Sequence, residues 1–410
     1  MKIRAVITAG LLLFCLLGGS CTSGQSLDTR LNSIVKTYRF DIVGWEFQAL
    51  SYELDELFFG SSEEAADEAP VVIEYFSVTE QIRSLGWEIE AVRTGLETGD
   101  PALLEAELKI LQKRQEALES RAEKIIEKQI RETLTQLGIF NPIDDHIGLE
   151  FGFPPVNFEL EEPPHLLVIS PRDRIESMRE ITLLPDIALE EIEAVETAVD
   201  ELGVSSLVVG LGGIATYPAF VTNDAGLQFT IDAAIEEWLH QYLFFKPLGF
   251  MYALDLIGIS RNYEIATMNE TLASMVSKEI GNTLYQNYYA QYEEGGSQTE
   301  TTEPKFDFNR EMREIRNAVD KYLAQGEIEL AEAYMEQKQL FLASKGYCIR
   351  KLNQAYFAFY GTYADSPTSV SPIGLELRLL RDKSTSLEDF LDTAALMTSR
   401  NELIDSIKVD

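Results

Sequence analysis

Between Thr230 and Phe245 the chain carries a stretch that is apolar on nearly every side of a helix, with Ala233, Ala234, Ile235, Trp238, Leu239, Tyr242 and Leu243 spread around it. A helix of that pattern belongs inside a folded core rather than on its surface. Its polar exceptions are Glu236, Glu237, His240 and Gln241. A spacing of four sets Glu236 and His240 on one face, with Glu237 projecting beside them. A carboxylate enclosed by such a helix is costly unless it is paired, protonated or bound to a metal. The segment therefore dictates a buried core and, in the same few turns, raises the question of chemistry.

Such a core is within reach of 410 residues of which 45% are hydrophobic and 25% charged, enough for two or three domains. Lys and Arg total 34 against 68 Asp and Glu, a net charge of -34. Nucleic acid is excluded as a partner on that balance, because phosphate binding needs clustered cations. The same acidity repels an anionic lipid surface, so attachment to a membrane requires a covalent hold.

The first residues supply a candidate for that hold. Lys2 and Arg4 precede an apolar run from Ala5 to Leu17, followed by Gly18, Gly19, Ser20 and Cys21. This is the pattern of a signal peptide over residues 1–20. The small residues before Cys21 resemble a lipobox, which implies that Cys21 is acylated and becomes the mature N-terminus; Gly18 departs from the leucine usual there. The run is shorter than the ~20 apolar residues a transmembrane helix needs. The expectation is an exported lipoprotein, anchored on the outer face of the cytoplasmic membrane or elsewhere in the cell envelope. Cys15, Cys21 and Cys348 are too few and too scattered for a disulfide framework or a cysteine zinc site. Cys348, in an apolar helical context, is expected to be a small core residue.

The periodicities give an α+β chain that is mostly α-helical. Residues 21–160 form an N-terminal helical region: a helical stretch from Leu31 to Phe59, an acidic linker from Ser61 to Pro70, and a long-helix hairpin from Val71 to Leu137. The hairpin breaks at Gly99, Asp100 and Pro101, with Asp100 placed to cap its second helix. Residues 161–225 form a small sheet-containing subdomain, with strands expected at Leu166 to Ile169, Ser205 to Leu211 and Ile214 to Val221 and an acidic helix from Leu189 to Leu202. Gly210, Gly212 and Gly213 lack a following Lys-Ser or Lys-Thr and read as a tight turn between strands rather than a phosphate loop. Residues 226–410 read as helical, interrupted by a surface loop from Glu293 to Lys305.

On a later helical segment stand Asn269, Glu270, Thr271, Leu272 and Ala273. Together with Glu236-Glu237-Trp238-Leu239-His240, this resembles the gluzincin metallopeptidases, and among them bacterial putative aminopeptidases, whose pattern is His-Glu-x-x-His on one helix and Asn-Glu-x-x-Ala on another. The resemblance covers roughly Leu166 to the C-terminus and leaves the N-terminal helices outside. It sets Gly212 to Val221 in the place of the edge strand that holds peptide substrate, and Asn353 to Tyr363 is similar to a downstream Asn-x-Ala segment. It implies a helical gluzincin domain after the small sheet, a divalent metal, zinc first, held by Glu236, His240 and Glu270, and Glu237 as general base for the attacking water. Tyr356, Tyr360 or Tyr363 is the implied stabiliser of the oxyanion.

Glu236 stands where the family has histidine. Two imidazoles and a carboxylate leave a zinc site with one net positive charge, whereas Glu-His-Glu makes it formally neutral, so water is polarised less and Mn2+ or Fe2+ competes better. The implied protein acts on a peptide substrate, or binds a protein ligand, with turnover weak or lost. Against it stands a non-catalytic binding or scaffold lipoprotein that works through its N-terminal helices. On the helix alone, Glu236 and Glu237 read as solvated positions and His240 as a hydrogen-bonded core residue. A di-iron bundle needs two Glu-x-x-His units on helices. Glu237 and His240 make one, but Glu162 and His165 enclose Pro163 and Pro164. The Asn269-Glu270-Thr271 sequon is expected to be accidental. The export reading is tested by metabolic labelling: labelled fatty acid enters the wild type and not Cys21→Ser, and equal labelling of the two contradicts it.

Overall fold

The computed structural model describes residues 27–40, 68–140, 153–256, 259–292, 306–364 and 366–408. The export segment, Cys21, the helical stretch beyond residue 40, residues 61–67 of the acidic linker and residues 293–305 lie outside the described residues. Among the described residues are thirteen α-helices and two three-stranded sheets, an α+β architecture that is mostly α-helical. No helix among them is long and apolar enough to cross a membrane.

Helix α1 (Leu27–Val35) precedes the long hairpin, in which α2 (Ala69–Arg93) is followed by α3 (Pro101–Gln136). Asp100 accepts a hydrogen bond from the Ala102 N–H at 3.0 Å and Pro101 occupies the first turn, where its missing N–H costs nothing. Arg93 and Glu105 pair across the tip at 2.8 Å. The lower half of the hairpin joins the main core through Val72, Tyr75, Ile126 and Ile130. There Glu123 accepts from the Leu160 N–H at 2.7 Å and Glu127 from the Phe158 N–H at 3.2 Å. Residues two apart on a strand and four apart on a helix advance by nearly the same ~6 Å, so successive turns of α3 cap one edge of strand β1 (Phe158–Leu160).

Strand β1 runs parallel to β6 (Ala219–Val221), which pairs in turn with β5 (Gly213–Ile214) in antiparallel register. The strand expected from Ile214 to Val221 is thus two strands of a hairpin. Thr216 Oγ1 donates to the Pro218 carbonyl at 2.7 Å, and Pro218 has no N–H to give a ladder, so the chain turns between them. The second sheet has the order β3-β2-β4, all antiparallel, from β3 (Arg179–Leu183), β2 (His165–Pro171) and β4 (Val204–Gly210). Leu167, Ile169 and Val208 pack on α1 and on α4 (Leu189–Asp200), while Val168, Leu207 and Val209 pack on the far side against Ala355. Both faces are covered, which explains the unbroken apolar run in β2.

The helices that follow are α5 (Leu227–Leu243), α6 (Pro247–Leu256), α7 (Tyr263–Tyr288), α8 (Phe308–Ala324), α9 (Ile328–Ser344), α10 (Gln354–Tyr360), α11 (Ile373–Lys383), α12 (Leu387–Ala395) and α13 (Arg400–Ile407). Helices α5 and α7 lie antiparallel at the centre, with Ile231, Ile235 and Leu239 packed among Met268, Leu272, Val276 and Ile280. The approach is close enough that a β-carbon at Gly281 would lie 2.0 Å from Asp232 Oδ1, so a larger residue there would have to displace the Asp232 carboxylate. Helices α11 to α13 extend this core, and α8 with α9 forms a satellite cluster around Met312, Ile315 and Phe357. One core therefore draws on the hairpin, the β1-β6-β5 sheet and the central helices together. Cys348 corrects an expectation: α9 stops at Ser344, and the thiol is exposed in the loop beyond it rather than buried in a helix.

Glu123 makes the α3–β1 junction pH-sensitive. Burial, opposed by the Leu160 hydrogen bond and reinforced by Glu119, Glu159 and Glu127, pushes its carboxyl from 4.5 up to about 7. A carboxyl raised on folding favours the native state below its unfolded pKa and loses that advantage as pH climbs through the folded value. Glu123→Gln keeps the acceptor and removes the charge. In urea unfolding the variant should gain about 2 to 3 kcal/mol on wild type between pH 4 and pH 8. Parallel curves across that range contradict the assignment.

Candidate metal centre

The antiparallel α5–α7 pair brings the polar residues of α5 against the one carboxylate that α7 turns inward at the same level. Glu236 and His240 stand one helical turn apart on α5, and Glu270 faces them from α7, where it is 7% exposed. One ligand atom from each of these side chains lies within 4.8 Å of the other two, so the group could hold a metal ion. His240 Nε2 and Glu270 Oε2 stand 3.7 Å apart. Ligands about 2.1 Å from a tetrahedral zinc stand roughly 3.4 Å from one another, so separations of up to 4.8 Å have to close by about 1.4 Å at most. Rotation about side-chain bonds supplies that much.

The residue before Glu270 gives a second indication of fit. Asn269 is 1% exposed, and its Nδ2 donates to His240 Nδ1 at 3.0 Å while its Oδ1 is buried without a hydrogen-bond partner. In that orientation the imidazole proton sits on Nε2, toward Glu270. A half-turn of the amide puts Oδ1 where Nδ2 stands, and the orphaned acceptor then takes a proton from Nδ1. Nε2 is left with a free lone pair facing the two carboxylates, the arrangement a metal-ligating histidine adopts. The donor set and its support therefore suit a divalent cation.

Glu237 lies beside this group and against strand β5. A β-carbon at Gly213 would come within 2.6 Å of Glu237 Oε1, so a side chain there would push the carboxylate away. One helical turn on, Gln241 Nε2 donates to the Thr216 carbonyl at 2.6 Å and ties α5 to the β5–β6 turn. Burial first, then the charges of Glu236 and Glu270, raise the Glu237 carboxyl well above its ordinary value.

The three candidate tyrosines separate. Tyr363 enters the site from the turn after α10, where the Ala364 N–H donates to Thr271 Oγ1 at 2.9 Å and Tyr263 donates to the Gly361 carbonyl at 3.3 Å. Burial raises its hydroxyl pKa, and Glu270, Glu236 and Glu237 add to the shift, so it stays a donor. Tyr356 and Tyr360 do not take part: their rings lie 4.6 Å apart, and Tyr356 packs with Leu207 and Phe357 in the neighbouring apolar clusters. Helix α10 ends at Tyr360, so the 3.6-residue spacing that would align the three does not reach Tyr363.

Sequence reasoning missed Tyr252, whose hydroxyl donates to Glu270 Oε1 at 2.5 Å from α6, with its ring 6.1 Å from that of His240. Its one-dimensional context, an aromatic in an apolar helix, reads as core. Glu180 on β3 is also within electrostatic reach of Glu270, with Arg261 as the cation opposing it. Of the remaining motifs, Asn269 is enclosed in α7 and the sequon offers no acceptor at the surface, while His165 opens strand β2 and cannot complete a helical Glu-x-x-His unit. Compared with protein-family profiles, with curated proteins and with solved structures, the chain matches none.

Proposed function

We propose that the chain is a lipid-anchored protein of the bacterial cell envelope with a gluzincin-type peptidase site that binds a divalent cation, zinc first, and cleaves peptides slowly. The observation that carries this reading is the meeting of Glu236, His240 and Glu270 beside a buried Glu237 that abuts Gly213. Bound by those three residues, the cation would act as a Lewis acid toward a peptide carbonyl and a water. An extended peptide lies along β5, the edge of its sheet, with its scissile bond near Glu237. A cation held by Glu236 and Glu270 would offset the two charges that help raise the Glu237 carboxyl, leaving Glu237 ionised to take a proton from the attacking water and pass it to the leaving amine. Tyr363 donates a hydrogen bond to the carbonyl oxygen as charge develops there. Glu236 lowers the net charge of the site relative to an imidazole and keeps turnover slow.

A second reading, a scaffold that works through its N-terminal helices, draws support from the far half of the hairpin, where Trp87 is 74% and Leu103 70% exposed. The two are separated by titrating zinc into metal-stripped protein alongside a peptidase assay. One zinc per wild-type chain is expected, with Glu236→His binding about tenfold more tightly. Hydrolysis by the wild type should be slow, abolished in Glu237→Gln and reduced on the order of a hundredfold in Tyr363→Phe. Zinc bound equally well by Glu270→Ala, or hydrolysis that survives Glu237→Gln, contradicts the proposal.

A further inference from the structure

The carboxylate of Glu270 is divided between two tasks. Its Oε2 faces His240 Nε2 at 3.7 Å, while its Oε1 accepts the Tyr252 hydroxyl at 2.5 Å. Tyr252 reaches it from α6, which packs along α7, and the C-terminal end of α6 is held to the start of α7 where Asp255 Oδ1 accepts the Asn262 N–H at 2.5 Å. The phenol ring is tilted 35° to the imidazole at 6.1 Å. Neither partner is free to wander: Glu270 is 7% exposed, and His240 is held by Asn269 at 3.0 Å.

From this arrangement we infer that Tyr252 is a positioning residue that limits Glu270 to one metal-binding oxygen and thereby makes the site select a four-coordinate zinc ion over cations of higher coordination number. The inference rests on the metal-site reading above and deepens it. The physical argument is one of ligand count. Zinc in proteins is satisfied by four atoms at about 2.0 to 2.2 Å, one from each side chain. Manganese and calcium take six or more oxygens, and carboxylates commonly serve them through both oxygens at once. With three side chains available, a carboxylate that swings to give both oxygens adds a ligand that zinc does not need and the larger cations do. The Tyr252 hydroxyl withholds that second oxygen. It also fixes the direction of Oε2, as hydrogen-bonded partners of metal ligands do elsewhere. Asn269 of α7 does the corresponding work for His240, so each of these two ligands has its own orienting group.

The test is competitive titration of metal-stripped wild type and Tyr252→Phe with zinc and with manganese, each followed by calorimetry. Removal of one hydroxyl keeps the ring in place. Zinc affinity should fall about tenfold in the variant while manganese affinity holds or rises, so that the preference for zinc narrows by at least that factor. Equal losses for both metals, or no change in either, would mean that Tyr252 only fills space, and would overturn this inference while leaving the metal site intact. A wild type that binds no zinc overturns both. Should Tyr252→Phe fail to fold, the visible spectrum of cobalt-loaded wild type decides the matter: intense bands of a four-coordinate ion support the inference, and the weak bands of a six-coordinate ion overturn it.

Discussion

Helix α5 buries Ile231, Ile235, Trp238, Leu239 and Leu243 in the main core while carrying Glu236, Glu237 and His240 on the same turns. Burial of those five side chains contributes on the order of 10 kcal/mol. Each carboxylate drawn out of water without compensation costs several kcal/mol, and α7 brings in another, Glu270. The apolar term wins only because the acids are given partners. Tyr252 donates to Glu270, Asn269 engages His240, and Glu237 relieves its own burial by holding a proton more firmly. A cation among Glu236, His240 and Glu270 would finish the compensation, since it is the one kind of ligand that offsets two carboxylates at once.

The outer elements matter to the site through short mechanical chains. On one side, α3 caps β1 through Glu123 and Glu127, β1 aligns β6, β6 pairs with β5, and β5 presents Gly213 to Glu237. On the other, Arg350 grips Glu196 with two hydrogen bonds of 2.6 and 2.9 Å, and Asn353 joins the Ser206 carbonyl to the first turn of α10. Such a two-pronged Arg–carboxylate contact fixes direction as well as distance. Helix α10 is thereby seated on the β3-β2-β4 sheet, and the turn that follows it is pinned to α7 by Thr271, delivering Tyr363. The region outside the family resemblance and the region inside it thus both bear on the placement of the same few atoms.

What could be read from the sequence were features written in local spacing. The hairpin break showed in Asp100 and Pro101, because capping is decided within one turn. The meeting of Glu236 and His240 showed in their offset of four, and the inward turn of Glu270 came only from its Asn-Glu-x-x-Ala setting. Features set by where an element stops were less legible. Ile214 to Val221 looked like one strand because Ile214, Thr216, Tyr217, Phe220 and Val221 favour extended backbone, and Pro218, which lacks the N–H a ladder needs, was the signal passed over. Cys348 looked buried because its apolar neighbours were read as helical, although Gly346, in the left-handed conformation just after the Lys345 cap, ends α9 before it. Tyr252 could not be found at all, since its partner Glu270 lies on another helix and nothing in spacing links the two.

The central claim is that Glu236, His240 and Glu270 bind one cation together, and its most direct test is anomalous diffraction at the zinc edge from crystals of the zinc-loaded protein. A single strong peak within about 2.0 to 2.2 Å of His240 Nε2 and of one oxygen from each glutamate is the predicted result. A peak elsewhere on the acidic surface, or none at full zinc loading, would contradict it.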